Sequence, residues 1–150
     1  MKRNLIIITL ALLTVIAVLT ACVATAKKEA SVTKANPLLG TWQLALYKYG
    51  STSSAFIVAS PVSSRIKMIT DTHFLWVHFD RTTKTISGSA GGTYTLTGDK
   101  YTESIDFGLG MNSYVGTKPV YTVKVEGDKL FLSGDLSEGY QIEEVWERVK

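Results

Sequence analysis

The clearest pattern along the chain is an alternation of apolar and polar positions within short stretches, which begins at 39–49. Trp42, Leu44 and Leu46 fall on one face of this stretch, while small and polar residues fall on the other. A period of two is that of a β-strand with one buried face. Gly40 precedes the tryptophan, where a large ring requires close approach to the backbone. The stretch therefore predicts a first strand whose Trp42 face points into a core.

A Gly-Asp pair at 98–99, flanked by alternating residues, predicts a β-hairpin with a two-residue turn. This register places Tyr94 opposite Glu103 and puts Tyr101 on the same face as both. The other face is rich in threonine, so the hairpin belongs to a sheet with one wet side. We expect Tyr94, Tyr101 and Glu103 to point inward. A second Gly-Asp pair at 127–128 predicts another hairpin of the same kind.

The same patterns predict an all-β domain of eight antiparallel strands. The stretch 73–80 is apolar on both faces, and we expect Phe74 and Trp76 to point inward. Eight antiparallel strands close into an up-and-down barrel that either fills with side chains or holds one small ligand. The predicted strands are 39–48, 64–70, 73–80, 91–97, 100–107, 118–126, 129–134 and 141–149.

The amino-terminal segment 1–21 has a charged start and a long apolar run, which predicts a signal peptide. Its Leu-Thr-Ala-Cys ending resembles the lipobox of bacterial lipoproteins, which implies that Cys22 is acylated and becomes the first residue. Cys22 is the single cysteine of the sequence, so it has no partner for a disulfide within the chain. An ordinary secretory signal cut after Ala26 and a retained membrane anchor are the alternatives.

These boundaries predict a lipoprotein signal peptide at 1–21, a flexible tether at 22–37 and one barrel domain at 38–150. The last range, of about 110 residues, suffices for a single core. The lipoprotein resemblance implies a lipid-anchored protein of the cell envelope, held by its acyl chains. Because Val23 is not aspartate, it further implies the outer membrane of a Gram-negative bacterium.

The net charge gives no support for nucleic-acid binding. The chain has 16 Lys plus Arg against 13 Asp plus Glu, and two of the cations, Lys2 and Arg3, lie in the predicted signal peptide. The mature chain is therefore nearly neutral. It lacks the clustered basic face that nucleic-acid binding requires.

Three motifs resemble the small lipocalin-like, calycin-type domains of bacterial envelope proteins, a group of uncharacterised function. They are Gly-x-Trp at 40–42, Thr-His-Phe-x-Trp-Val at 72–77 and the glycine- and threonine-rich run at 91–103. The resemblance implies that Arg148 packs across Trp42 and closes the barrel by a cation–π contact. It also implies that the segment 50–64 is a lid over the open end; a disordered insertion and an added edge strand are the alternatives.

The candidate chemistry does not indicate an enzyme. His73 and His78 fall on opposite faces of one strand, so they cannot bind one metal ion together. Haem binding through His78 is a minor alternative. An acylated Cys22 cannot act as a nucleophile, and Glu103 has no visible catalytic partner. We therefore expect no catalytic residues, no metal and no cofactor.

The leading functional hypothesis is a membrane-tethered barrel that binds a small, mostly apolar molecule. Trp42, Trp76, Tyr94 and Tyr101 would form the walls, and Glu103 would anchor an amine or hydroxyl group, as in apolar pockets with few polar groups. The alternative is a plugged barrel that acts as a protein–protein interaction module and binds another envelope protein.

Overall fold

The computed structural model describes residues 35–50 and 55–150, and these residues form nine β-strands. The predicted signal peptide at 1–21, Cys22 and most of the predicted tether at 22–37 lie outside the described residues. In chain order the strands are β1 (Gly40–Gly50), β2 (Ile57–Val58), β3 (Ser63–Ile69), β4 (His73–Asp80), β5 (Ile86–Thr97), β6 (Lys100–Leu109), β7 (Val120–Glu126), β8 (Lys129–Ser137) and β9 (Tyr140–Arg148).

Strands β1 and β3–β9 close into an eight-stranded antiparallel barrel. Each of β3 to β9 pairs with its neighbour in the chain, β3 pairs with β1, and β9 returns to pair with β1. The closing register places Trp42 opposite Arg148 and Leu44 opposite Trp146. Closure removes the unpaired strand edges that an open sheet would expose. The predicted fold class, an all-β up-and-down barrel of eight strands, is confirmed.

The hairpin between β5 and β6 has the predicted register, with Tyr94 opposite Glu103. Gly98 and Gly127 begin the two Gly-Asp turns with φ of +63° and +59°, the left-handed conformation that a two-residue hairpin turn needs at its first central position. Tyr94, Glu103 and Tyr101 are consequently buried on the inner face of the barrel.

The predicted inward position of Leu46 is wrong because β1 contains a β-bulge. The register of β1 against β9 shifts between Leu44 and Leu46. A bulge adds one residue to one strand, so the residues beyond it change faces. Tyr47 and Tyr49 therefore pack toward the core instead, opposite positions of β9 that also face inward.

The segment 50–64 contains the short strand β2, which pairs with β1 where β3 does not reach. An added edge strand was one of the alternatives for this segment. The N–H of Ala59 donates to the carbonyl oxygen of Ala45, the bulge residue, at 2.8 Å. Residues 51–54 lie outside the described part of the chain.

Strand β5 begins at Ile86, earlier than the predicted start at 91, and its glycines at 91 and 92 allow close packing of the strand. A Cβ at Gly92 would lie 2.0 Å from the carbonyl oxygen of Ser104, so only glycine permits this approach. The ring of Phe107 covers Gly91 from outside, 2.5 Å from where a Cβ would stand.

One end of the barrel is filled by side chains and by the segment that precedes β1. The Nε1–H of Trp42 donates to the carbonyl oxygen of Leu38 at 2.8 Å, and the amide of Asn36 donates to the hydroxyl of Tyr94 at 2.7 Å. These bonds fix the start of the domain against the core. The residues that fill this closed end are Leu38, Trp42, Ile69, Phe74, Tyr94 and Tyr101.

Candidate functional site

The other half of the barrel contains a cavity of about 240 Å³, hereafter the inner cavity. Two small residues of β5 leave room for the ring of Trp76 in the wall of this cavity. Ala90 lies opposite Trp76, and a Cβ added at Gly88 would lie 3.6 Å from the ring. The lining side chains are Tyr49, Arg65, Lys67, Trp76, Glu103, Ile105, Met111, Tyr114, Tyr121, Leu132, Leu136, Tyr140, Ile142, Glu144 and Trp146.

The floor of the inner cavity carries a buried ion pair. Nζ of Lys67 lies 2.8 Å from Oε1 of Glu103, and both residues are 3% exposed. The ammonium group also lies 5.4–5.9 Å from the ring centroids of Phe74, Tyr101 and Trp146. A buried charge requires such compensation.

A second carboxylate, Glu144, is held by neutral donors. The indole N–H of Trp146 donates to its Oε2 at 2.9 Å, and the hydroxyl of Tyr49 donates to its Oε1. Burial, and next the charge of Glu144, raise the pKa of Tyr49 well above its usual value, so this phenol stays protonated as a donor. Nη1 of Arg65 lies 3.6 Å from the same carboxylate oxygen.

Arg65 occupies the boundary between two cavities. Its guanidinium packs over the ring of Trp76, with Cζ 4.8 Å from the ring centroid, and its Nη1 donates to the hydroxyl of Tyr49 at 2.7 Å. Its Nε is buried and has no acceptor among the described residues. Arg65 and Tyr49 line the inner cavity on one side and a second cavity on the other.

The second cavity, hereafter the outer cavity, measures about 280 Å³ and lies between β1, β3, β4 and the segment after β2. Oγ of Ser63 and Nε2 of His78 are 2.6 Å apart at its edge. Burial, and next the charge of Arg65, lower the pKa of His78, which favours the neutral imidazole. Its lining side chains are Leu44, Tyr47, Tyr49, Ala59, Ser60, Ser63, Arg65 and His78.

Two more phenols near the inner cavity are held in the neutral form. Burial, and next the charge of Glu103, raise the pKa values of both Tyr101 and Tyr121 far above the usual value. The hydroxyl of Tyr101 is buried, and no hydrogen-bond partner for it exists among residues 35–50 and 55–150.

Within the described ranges, three or more metal-ligating side chains do not come together anywhere. Those ranges likewise contain no helix whose length and apolarity suffice to cross a membrane.

Comparison with protein families identifies residues 37–150 as a match to a domain of unknown function, DUF4488. The chain belongs to the DUF4488 family. No curated protein matches it. The DUF4488 domain is therefore placed by sequence in a family whose description states no activity.

Two solved structures share the fold of the DUF4488 domain. A lipocalin-like protein from Bacteroides uniformis ATCC 8492 superposes with a TM-score of 0.55 at 17% identity, covering 76% of this chain and 100% of its own. An uncharacterized protein from Bacteroides eggerthii DSM 20697 superposes with a TM-score of 0.52 at 14% identity, covering 74% of this chain and 98% of its own. At these identities the likeness concerns the fold, and it confirms the lipocalin-like resemblance.

The DUF4488 barrel separates the predicted wall residues into two groups. Trp76 and Glu103 line the inner cavity. Trp42, Tyr94 and Tyr101 lie in the closed end and do not line it. Glu103 points inward, but Lys67 already occupies one of its oxygens.

Arg148 lies over Trp42 in the DUF4488 barrel, with its Cζ 4.0 Å from the ring centroid. Its guanidinium also donates to the carbonyl oxygens of Leu39 at 2.6 Å and Pro37 at 3.1 Å. Gly40 makes room for this group, because a Cβ there would lie 2.7 Å from Nη1 of Arg148. The arginine thus joins the last strand to the segment that begins the domain.

Sequence reasoning missed the charged residues of the cavity on β3. The hairpin of β3 and β4 pairs Lys67 with Trp76 and Arg65 with His78. Residues opposite each other in a hairpin share one face, so an inward Trp76 implies that Lys67 and Arg65 also point inward. The register of this hairpin was therefore a sequence signal for both cations. Tyr49 was missed because the unbroken alternation of β1 predicts it to point outward, and the sequence does not reveal the bulge that turns it inward.

Proposed function

We propose that the barrel binds a small, mostly apolar molecule in the inner cavity. The observation that carries this proposal is a space of about 240 Å³ enclosed by aromatic and aliphatic side chains with a few buried polar groups. Ligand sites have this composition, and eight-stranded barrels have room for one small ligand. A binding role, rather than catalysis, also agrees with the lipocalin-like fold.

Within this proposal, Trp76 and Trp146 form the apolar walls nearest to the buried charges. Trp42, Tyr94 and Tyr101 support the site from the closed end instead of contacting the ligand. Glu103 contributes as the partner of Lys67. A ligand that presents an uncharged surface to Lys67 and Glu103 leaves their ion pair intact.

Native mass spectrometry of the protein purified from its own membrane tests the proposal. We expect a small molecule to co-purify, and we expect Leu136→Trp to displace it by filling the cavity that Leu136 lines. Phe131→Trp is the matched control, because Phe131 lies on the same strand but outside the inner cavity. A parent protein that carries no small molecule and binds none from an envelope lipid extract would contradict the proposal.

We further infer that acylated Cys22 tethers the barrel to the cell envelope, in the outer membrane of a Gram-negative bacterium. The support is the Leu-Thr-Ala-Cys sequence at the end of the apolar run. Attachment through more than one acyl chain is stable, whereas a single chain gives only marginal binding.

A second candidate function is the binding of another envelope protein to the outside of the barrel. Ile86, Phe107 and Leu109 are 55%, 54% and 52% exposed on the adjacent strands β5 and β6. Clustered exposed apolar side chains mark interaction surfaces. A photo-crosslinker at Leu109 should capture such a partner in cells, while one at the exposed Lys124 on β7 should not.

A further inference from the structure

We propose that the ligand of this barrel is an organic anion, whose carboxylate or sulfonate group binds Arg65 between the inner and outer cavities. This inference rests on the proposed ligand-binding function and names the chemical class of the ligand. Its apolar body would occupy the inner cavity, and its acidic group would meet Arg65 at the boundary with the outer cavity.

The first argument is the hydrogen bonding of Arg65. A guanidinium group has five N–H donors and no acceptor. Here Nη1 donates to Tyr49, and the distance of 3.6 Å from Nη1 to Glu144 is beyond hydrogen-bond range. Nε is buried without an acceptor among the described residues. A buried donor without an acceptor is costly, so Arg65 retains unused hydrogen-bonding capacity where the two cavities meet.

The second argument is the charge around the two cavities. Both carboxylates of the inner cavity are already bonded, Glu103 to Lys67 and Glu144 to Tyr49 and Trp146. A cationic ligand gains less at these carboxylates because internal donors already compensate their charges. At Arg65 an anion shares the guanidinium with Glu144, which forms an ion pair with it at 3.6 Å but no hydrogen bond and lines the inner cavity but not the outer one.

The outer cavity strengthens the preference for an anion. Among the described residues that line it, Arg65 carries a positive charge, His78 favours the neutral imidazole, and none is a carboxylate. Its other polar lining groups include the hydroxyl of Ser63, which is 2.6 Å from His78 and rotates to donate to a nearby anion. Leu44, Tyr47 and Ala59 supply apolar contacts. Carboxylate and sulfonate groups suit this setting because their oxygens accept charge-assisted hydrogen bonds from arginine.

Calorimetric titration of the full chain in lipid nanodiscs tests the inference, with empty nanodiscs as the blank. The probes are phenylbutyrate, phenylbutanol and phenylbutylamine, which share one apolar body and differ in the charge of the polar end. We expect the carboxylate to bind about tenfold more tightly than the alcohol, the usual gain for hydrogen bonds to a charged group, and the amine to bind most weakly. Equal or tighter binding of the alcohol or the amine would overturn the inference.

Two substitutions test whether Arg65 causes the preference for the carboxylate over the alcohol. Arg65→Gln should abolish the difference between carboxylate and alcohol, whereas Arg81→Gln, on an exposed arginine outside the barrel, should preserve it. If Arg65→Gln does not fold, Arg65→Lys retains the charge, and we expect a weaker preference of the same sign. A full preference in Arg65→Gln would overturn the role of Arg65.

The two histidines report where the probe binds. In the parent protein, phenylbutyrate should slow the modification of His78 by diethyl pyrocarbonate, because His78 lines the outer cavity next to Arg65. His73 is exposed at the other end of β4 and should react at an unchanged rate. Unchanged reactivity of His78 at saturating phenylbutyrate would place the carboxylate elsewhere.

The outcomes separate this inference from the function on which it rests. If the alcohol binds as tightly as the carboxylate and Leu136→Trp blocks both, the cavity binds ligands but the anion preference is wrong. If none of the three probes binds and nothing co-purifies with the protein, the ligand-binding function itself is wrong.

Discussion

Lys67 on β3 and Glu103 on β6 form an ion pair across the barrel interior, with 2.8 Å between Nζ and Oε1. The two strands are not neighbours in the sheet, since β4 and β5 separate them. Both residues are 3% exposed, so each charge depends on the other for compensation. The pair therefore links distant parts of the barrel wall at the floor of the inner cavity.

Breaking this pair should destabilise the domain more than removing it. Lys67→Met or Glu103→Gln alone should lower the free energy of unfolding by about 3–5 kcal/mol, because each leaves an uncompensated buried partner. The double variant Lys67→Met/Glu103→Leu should recover most of that loss. Urea unfolding measures all three proteins.

The exposed pair of Lys124 and Glu126 is the matched control for this prediction, because its side chains are 70% and 55% exposed. Lys124→Met should change the free energy of unfolding by about 1 kcal/mol or less. A loss at Lys67→Met no larger than at Lys124→Met would show that the buried pair contributes little to stability.

Trp42 should contribute more to stability than the arginine that covers it. Trp42→Ala should cost about 3–5 kcal/mol, as truncation of a large buried aromatic does. Arg148→Ala removes a cation–π contact of about 1 kcal/mol and two hydrogen bonds to the backbone, so its cost should be smaller. Thermal unfolding compares the two variants. An unchanged unfolding midpoint in Trp42→Ala would show that the Trp42 face of the first strand does not stabilise the core.

Stability should fall in mild acid because of His78. The pKa of His78 is lowered in the folded protein by burial and by Arg65, so the unfolded chain takes up a proton near the usual value of 6.5 while the folded chain does not. The unfolded state then binds more protons, and stability decreases as the pH falls through that value until the lower folded pKa is passed. Urea unfolding between pH 8 and 5, about the range of histidine titration, measures this slope.

His78→Gln should flatten that slope, because glutamine does not titrate. His73→Gln should retain it, since His73 is exposed at the opposite end of the strand. Identical slopes in the parent and His78→Gln would assign the acid sensitivity to another group.

Membrane attachment should depend on Cys22. The Cys22→Ser variant should appear in the soluble fraction or remain as an uncut precursor, because serine cannot carry the thioether-linked lipid of the lipobox. Fractionation and intact mass measure the two outcomes. Fractionation and migration identical to the parent would contradict the lipoprotein prediction.

The strands and their hairpins follow from local features of the sequence. Alternation with a period of two, together with the glycines at 98 and 127, specified the β5–β6 and β7–β8 registers that the structure has. These signals are readable because a turn and its flanking residues are adjacent in the chain. They also placed Tyr94, Tyr101 and Glu103 inward.

The partners inside the barrel depended on closure instead. Glu103 pairs with Lys67, 36 residues away, and Glu144 accepts from Tyr49, 95 residues away. The shear of the closed sheet decides which inward residues meet, and no local pattern encodes it. The sequence alone determined a β-sheet with one buried face and an inward Glu103. The tertiary structure decided that Lys67 compensates Glu103 and that Arg65 faces two cavities. The bulge in β1 decided the place of Tyr49, because one extra residue reverses the faces of a strand without disturbing its alternation on either side.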